Sequence, residues 1–235
     1  MFSNKGRGLI LTFTRPMIRA GLLAAIRSYG GFPAYAGMEL LPFIVTGVLC
    51  SRFFRRTSTT LIGAAESGKS LLSFYQVSEL DLYLTRFIAG LSINLTVAFI
   101  LYFILRIIGA PPVAEPLYMI IVLIFVTCLG FAVGLVLASL AIFLPPLKSV
   151  SRFALRGLRL TSGSFFVVPE IPAGLRDYFL WNPLLHVSEL ARTYYFVQYN
   201  TDYGDWNYLI KVFVITLFLG LILERISRHR IGRGI

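Results

Sequence analysis

Residues 63–70 read GAAESGKS, a full match to the G-x-x-x-x-G-K-[ST] loop whose backbone N–H groups cradle nucleotide phosphates. That chemistry also needs a buried strand before the loop, a helix after it, and a later strand ending in Asp to hold Mg²⁺. Beyond Ser70 the chain offers only Glu79 and Asp81 before a long apolar run, and no stretch is long enough for a nucleotide-binding domain. The segment therefore reads as a solvated helix-turn rather than a phosphate loop. His186 and Glu189 share a helical face and make half of a metal site. The only other histidine is His229, in a basic tail, so a zinc site cannot be completed; the pair reads as a buried hydrogen-bonding or dimer contact. No metal site and no catalytic residue are expected.

Three arginines have a spacing with more consequence. Arg152, Arg156 and Arg159 are four and three apart, within about 60° of one another on a helix. Two readings stay open: an anchor snorkelling to lipid phosphates, or a basic entrance for an anionic glycan or its phospholipid terminus. Arg15 and Arg19, four apart inside an apolar run, are costlier against lipid and favour a polar interior.

The elements that must position these residues are membrane helices. Pro116 to Leu147 is 32 residues without a charge, and Phe87 to Leu105 another 19. A bilayer core asks for about 20 apolar residues in a helix, the form that satisfies its own backbone without water. The whole chain is 57% hydrophobic and only 14% charged, with mean hydropathy +0.76, where soluble domains have roughly a quarter of residues charged. We expect an all-α integral membrane protein, a single domain over 1–235. Its six spans fall near 9–27, 38–54, 87–107, 117–143, 150–168 and 207–224. The apolar N-terminal run has no small-residue cleavage site and reads as retained. Cys50 and Cys128 both lie in apolar stretches and suggest no disulfide framework.

The net charge of +11 is distributed by side. With the N-terminus inside, inner segments hold 15 basic residues against four acidic, and outer segments five against seven. This positive-inside bias places both termini in the cytoplasm, and it accounts for the basic charge through orientation and anionic lipid, without nucleic acid.

Residues 169–206 are too apolar and aromatic for a solvated outer loop. Pro169 and Pro172 stop span five, and a short helix then ends near Trp181. Asn182 and Pro183 form an N-cap with Pro at the first helical position, opening a second short helix to about Phe196. We expect two short re-entrant helices between spans five and six, shielded by protein or by a water-filled conduit. Ten aromatic residues between Tyr178 and Tyr208 suit an interfacial belt, and some, with Phe165, Phe166 and Trp181, are candidates to line a path on which sugar faces stack.

These pieces carry a resemblance. LLPFIVTGVLCSRFF (40–54), SFYQVSELDLYLTRFIAG (73–90) and above all VVPEIPAGLRDYFLWNPLLHVSELAR (167–192) look like the permease subunit of type-2 ABC exporters for bacterial capsular polysaccharide. The specific part is a proline-containing turn, an aromatic, then Asn-Pro-Leu, a His and a Glu three residues on: Trp181, Asn182, Pro183, Leu184, His186 and Glu189. The resemblance runs from about Gly8 to the basic tail. Two departures accompany it. The family usually begins with an amphipathic interfacial helix, where only about seven residues precede the first span here, and Arg15 stands before Pro16 where relatives commonly have an acidic residue.

The resemblance implies a non-catalytic permease in the bacterial inner membrane, moving a capsular or related polysaccharide, anionic and lipid-linked. Its implied partners are a second copy of itself, a separate ATP-binding cassette ATPase that carries ATP and Mg²⁺, and periplasmic and outer-membrane export proteins. The loop 57–82 would hold the coupling helix, with Leu71, Leu72, Phe74, Glu79 and Asp81 as candidate contacts to the ATPase. Arg15, Arg19, Arg152, Arg156, Arg159, Phe165, Phe166 and Trp181 are the candidate substrate path. A permease for O-antigen, teichoic acid or a small lipid remains open. So does a membrane-embedded enzyme acting on lipid-linked sugars, although such an enzyme needs several polar groups at one depth and the acids here are scattered singly.

Overall fold

The computed structural model describes residues 37–64 and 78–231, together with Ile18; side chains are described to Ser227. Among these residues there are seven α-helices and no strand. They are α1 (Leu40–Ile62), α2 (Glu79–Ile107), α3 (Pro116–Phe143), α4 (Leu147–Leu160), α5 (Ala173–Leu180), α6 (Pro183–Tyr195) and α7 (Trp206–Ile231). Two of them, α2 and α3, are long and apolar enough to cross a membrane. The first expected span (9–27) with Arg15 and Arg19, and the loop residues Leu71, Leu72 and Phe74, lie outside the described residues.

Helix α1 is the axis of the bundle. Phe43, Ile44, Leu49, Cys50, Phe53 and Phe54 are all buried, and its main neighbour is α3, which packs in turn on α7. The α1–α3 seam is close because α3 carries Gly130 and Gly134 four apart. A Cβ at Gly130 would stand 2.7 Å from the Phe54 carbonyl oxygen, and one at Gly134 would stand 2.9 Å from the Ser58 Cα. Small residues at this spacing let helix backbones approach where no hydrophobic force drives association. The Ser58 hydroxyl lies 2.9 Å from both the Phe54 and the Gly130 carbonyl oxygens, adding a polar stitch across the seam.

Helix α2 begins earlier than hydropathy suggests, at Glu79 rather than near 87. Ser78 and Asp81 close a capping box there: Asp81 N–H donates to Ser78 Oγ at 3.2 Å and Ser78 N–H to Asp81 Oδ2 at 2.9 Å. Helix α1 likewise runs past 54 to Ile62, with Gly63 as its C-cap. The GAAESGKS match thus follows a helix, where a phosphate loop requires a strand.

The fifth segment departs most from expectation. A continuous helix over 150–168 is replaced by α4, which has 14 residues and stops at Leu160, about 21 Å of rise against a hydrocarbon core of about 30 Å. Gly163 adopts φ 68°, a left-handed turn incompatible with helix. Ser162 donates to the Arg159 carbonyl at 2.7 Å and lies 2.8 Å from the Ser164 hydroxyl, which bonds Gly47 O of α1 at 3.1 Å. The chain then runs as Val167 in extended form and a 3-10 turn, Val168–Glu170, before α5.

The seam makes a direct prediction. Gly130→Leu should lower the stability of the detergent-solubilised protein by about 1–3 kcal/mol, through overpacking. Gly157→Leu, where a Cβ meets nothing within 4 Å, should leave the thermal unfolding midpoint unchanged. Equal midpoints for the two variants would contradict this account of the seam.

Candidate functional site: a clasped break between α4 and α6

Non-helical backbone buried inside a bundle must be satisfied by protein or trapped water, so the freed groups of residues 161–170 must find partners. They find them on α6. Asn182 is the N-cap: its Oδ1 accepts from Leu184 N–H at 3.0 Å, and Pro183 follows at the first helical position. The same side chain reaches back with Nδ2 to the Leu158 carbonyl at 3.0 Å and to Thr161 Oγ1 at 2.8 Å. One amide thus starts α6 and seals the end of α4. Helix α6 is packed against α1, α3 and α7, and nearly every residue from Leu184 to Arg192 is buried.

At its far end lies the decisive group. Arg192 is 0% exposed, and a buried charge requires pairing and hydrogen bonds. Its Nη1 donates to the Phe166 carbonyl at 2.8 Å and Nη2 donates to the Gly163 carbonyl. Its Nη1 lies 3.5 Å from Glu189 Oε1, and its guanidinium sits 3.9 Å from the centre of the Phe43 ring of α1. Glu189, also 0% exposed, accepts from Val168 N–H at 3.3 Å and from the Tyr199 hydroxyl. Burial and the adjacent Glu189 carboxylate push the Tyr199 hydroxyl well up, so it keeps the proton that it donates. The pair holds the broken backbone from both sides. The arrangement offers positioning, and no nucleophile and base meet in it.

His186 and Glu189 do not bond each other. His186 Nε2 lies 2.8 Å from the Leu180 carbonyl, Nδ1 accepts from Asp205 N–H at 3.3 Å, and the ring packs 4.6 Å from that of Tyr208. His186 thereby ties α5 to the start of α7, while Glu189 serves the break.

The candidate path residues divide. Arg152 and Arg156 are exposed on α4, whose buried face is Ser151 and Leu155. Arg159 is half-buried with its guanidinium 6.0 Å from the Phe165 ring. Phe166 packs edge-on against Phe179 of α5 at 5.8 Å. Trp181 is 80% exposed, and its carbonyl accepts from the Tyr208 hydroxyl at 2.7 Å. Of the outer aromatics, Tyr195, Phe196 and Tyr199 are core residues, whereas Tyr178 and Trp181 are free surface. Glu79 is buried and Asp81 belongs to the cap of α2.

No family model matches the sequence. The capsule polysaccharide export inner-membrane protein BexB of Haemophilus influenzae is 24% identical over 227 residues, 95% of this chain and 85% of BexB. CtrC of Neisseria meningitidis, with the same description, is 26% identical over 229 residues, 97% of this chain and 86% of CtrC. The polysialic acid transport protein KpsM of Escherichia coli is 26% identical over 219 residues, 93% of this chain and 85% of KpsM. This chain is similar over nearly its whole length to capsule polysaccharide export inner-membrane proteins and to a polysialic acid transport protein. The resemblance carried by residues 40–54, 73–90 and 167–192 is borne out along nearly the whole length.

Arg192 is the residue that sequence reasoning misses, being counted there among outer basic charges. The available signal is its place three residues after Glu189, on the same face of α6. Arg192→Met leaves Glu189 buried without its cation and strips two carbonyls of their donors. The expected cost is about 3–5 kcal/mol, seen as loss of folded protein in fluorescence-detected gel filtration. A double Glu189→Met/Arg192→Met variant should stay destabilised, because Gly163 and Phe166 still lack donors. Full recovery in the double variant would show that the ion pair does not hold the break.

Proposed function

We propose that this chain is the membrane-spanning subunit of an ATP-driven exporter that moves a capsular or related cell-surface polysaccharide across the bacterial inner membrane. The observation that carries the reading is similarity, over nearly the whole length, to two capsule polysaccharide export inner-membrane proteins and a polysialic acid transport protein. The buried half-helix α6 and the clasped break supply a physical counterpart: a bundle that keeps non-helical backbone inside itself suits a conduit.

In this reading the chain crosses the membrane six times, with both termini cytoplasmic, and α5 and α6 re-enter from the outer side. Two copies enclose the conduit. The exposed apolar face of α2, including Phe99, Phe103 and Ile107, meets lipid or the second copy. A separate ATPase binds the loop within 57–82, and hydrolysis there closes the pair. Arg152 and Arg156, exposed on α4, with Arg159 behind them at Phe165, form a basic track for an anionic polymer or its lipid end. Arg15 and Arg19, outside the described residues, are further candidates for the path. Export proteins outside the inner membrane would receive the product.

Deleting the chain should leave polymer accumulating inside the cell while synthesis continues; undiminished surface polymer would contradict the reading. Arg156→Glu and Arg159→Glu should each reduce surface polymer, with Lys replacements milder, since Lys keeps the charge and loses only the forked geometry. Export by the Glu variants at the parental level would leave the stripe as an orientation device. Replacing Leu71, Leu72 and Phe74 together by Ala should let ATP hydrolysis continue without export, on the view that an apolar helix face seats in a groove of the ATPase. Coupled export by the triple variant would move the contact elsewhere.

A further inference from the structure

A second arginine site lies between α1 and α2, remote in sequence from the stripe on α4. A cleft of about 170 Å³ is lined by Arg56, Thr57 and Thr60 of α1 and by Arg86, Ala89, Gly90 and Ile93 of α2. By the same measure a single water needs only about 10–15 Å³. None of the lining residues is acidic. Two of its donors are buried and lack a hydrogen-bond partner among the described residues: Arg56 Nη1 and Thr57 Oγ1. Thr57 is only 3% exposed. The Thr60 hydroxyl is already committed to the Arg56 carbonyl at 2.8 Å. A buried guanidinium nitrogen and a buried hydroxyl without partners are costly, and a surface arginine would extend to solvent instead.

Depth identifies the ligand chemistry. Arg86 immediately precedes the 19 uncharged residues Phe87–Leu105 of α2, so when α2 spans the bilayer, Arg86 stands at the headgroup boundary. Arg56 enters the same cleft from α1, six residues before the helix ends. Two guanidinium groups and a hydroxyl at headgroup depth match the oxygens of a phosphodiester, and basic pockets between helices are a known means of holding anionic headgroups. We infer that the α1–α2 cleft binds the phosphodiester headgroup of an anionic phospholipid, with Arg56 and Thr57 as its donors and the Arg86 charge lining the cleft beside them. The inference requires α2 to span the membrane; it does not require the export reading, and its test measures retention without transport.

The full chain, extracted from membranes with any bound subunits, is exposed to an equimolar mixture of phosphatidylglycerol and phosphatidylethanolamine and examined by native mass spectrometry. The parent should retain phosphatidylglycerol over phosphatidylethanolamine by about tenfold. Arg56→Gln/Arg86→Gln should bring the ratio near parity, while Arg225→Gln, exposed on α7, should preserve it. Thr57→Val, which keeps the side-chain shape, should lower retention several-fold and covers the case in which the double variant does not fold. Equal retention of both lipids by the parent, or an unchanged ratio in Thr57→Val together with the double variant, would overturn the inference. Displacement of phosphatidylglycerol by millimolar inorganic phosphate would overturn the lipid assignment, reducing the cleft to a site for free phosphate.

Discussion

The structure depends on satisfying backbone polar groups where the chain leaves helical geometry inside the bundle. Residues 161–170 contain a left-handed glycine, an extended residue and a 3-10 turn, and each freed carbonyl or N–H would cost several kcal/mol in hydrocarbon. One side-chain pair supplies partners for three of those groups. Arg192 donates to Gly163 and Phe166 while Glu189 accepts from Val168 and Tyr199. Because Arg192 also stacks on Phe43, the same guanidinium fixes the break to α1. Asn182 performs the matching service at the other end of α6. The short helix is held at one end by Asn182, which also bonds the last turn of α4, and at the other by a pair that bonds the break after α4.

This arrangement explains which parts were legible in the sequence. Helix α3 is plain because 32 uncharged residues make a run long and apolar enough to cross a membrane, and the start of α6 is plain because capping is local: Asn182 and Pro183 mean the same thing wherever they occur. The lower end of α1 and the start of α2 are hidden from hydropathy, since Arg52, Arg55 and Arg56 interrupt the one and the Ser78–Asp81 box lies in polar sequence ahead of the other. Their helical signal is in caps and in packing against α3, which an apolar-run reading does not weigh. The Gly130–Gly134 spacing is present in the sequence but acquires meaning only once α1 is known to be its partner.

The break after Leu160 was illegible for a different reason. Hydropathy along 150–168 is compatible with a span, and a glycine among serines signals flexibility without stating a dihedral angle. Only the tertiary partner of the carbonyls decides that the helix stops. That partner, Arg192, looks in composition like every other basic residue, so a count of charges by side assigns it to the outer surface. A buried cation is recognised by the set of acceptors gathered round it, and those come from residues 163, 166 and 189, spread over 27 positions of chain.

The arginines of this chain therefore fall into three physical situations, separated by hydrogen-bond accounting. Arg152 and Arg156 are exposed on α4, where their charge is open to lipid headgroups or to an anionic cargo. Arg192 has its two terminal nitrogens engaged by protein carbonyls and a carboxylate, and nothing further could bind there without displacing structure. Arg56 is the intermediate case: partly buried, with one nitrogen shielded from water and joined to no described acceptor. A cation in the first situation tolerates replacement by Lys, and one in the second tolerates none. In the third, no described residue supplies the acceptor, and a cleft that places a second arginine and an unpaired hydroxyl beside it suits an anion with several oxygens. The same rule that makes Arg192 a structural residue thus makes Arg56 a binding one, the difference being who supplies the acceptor.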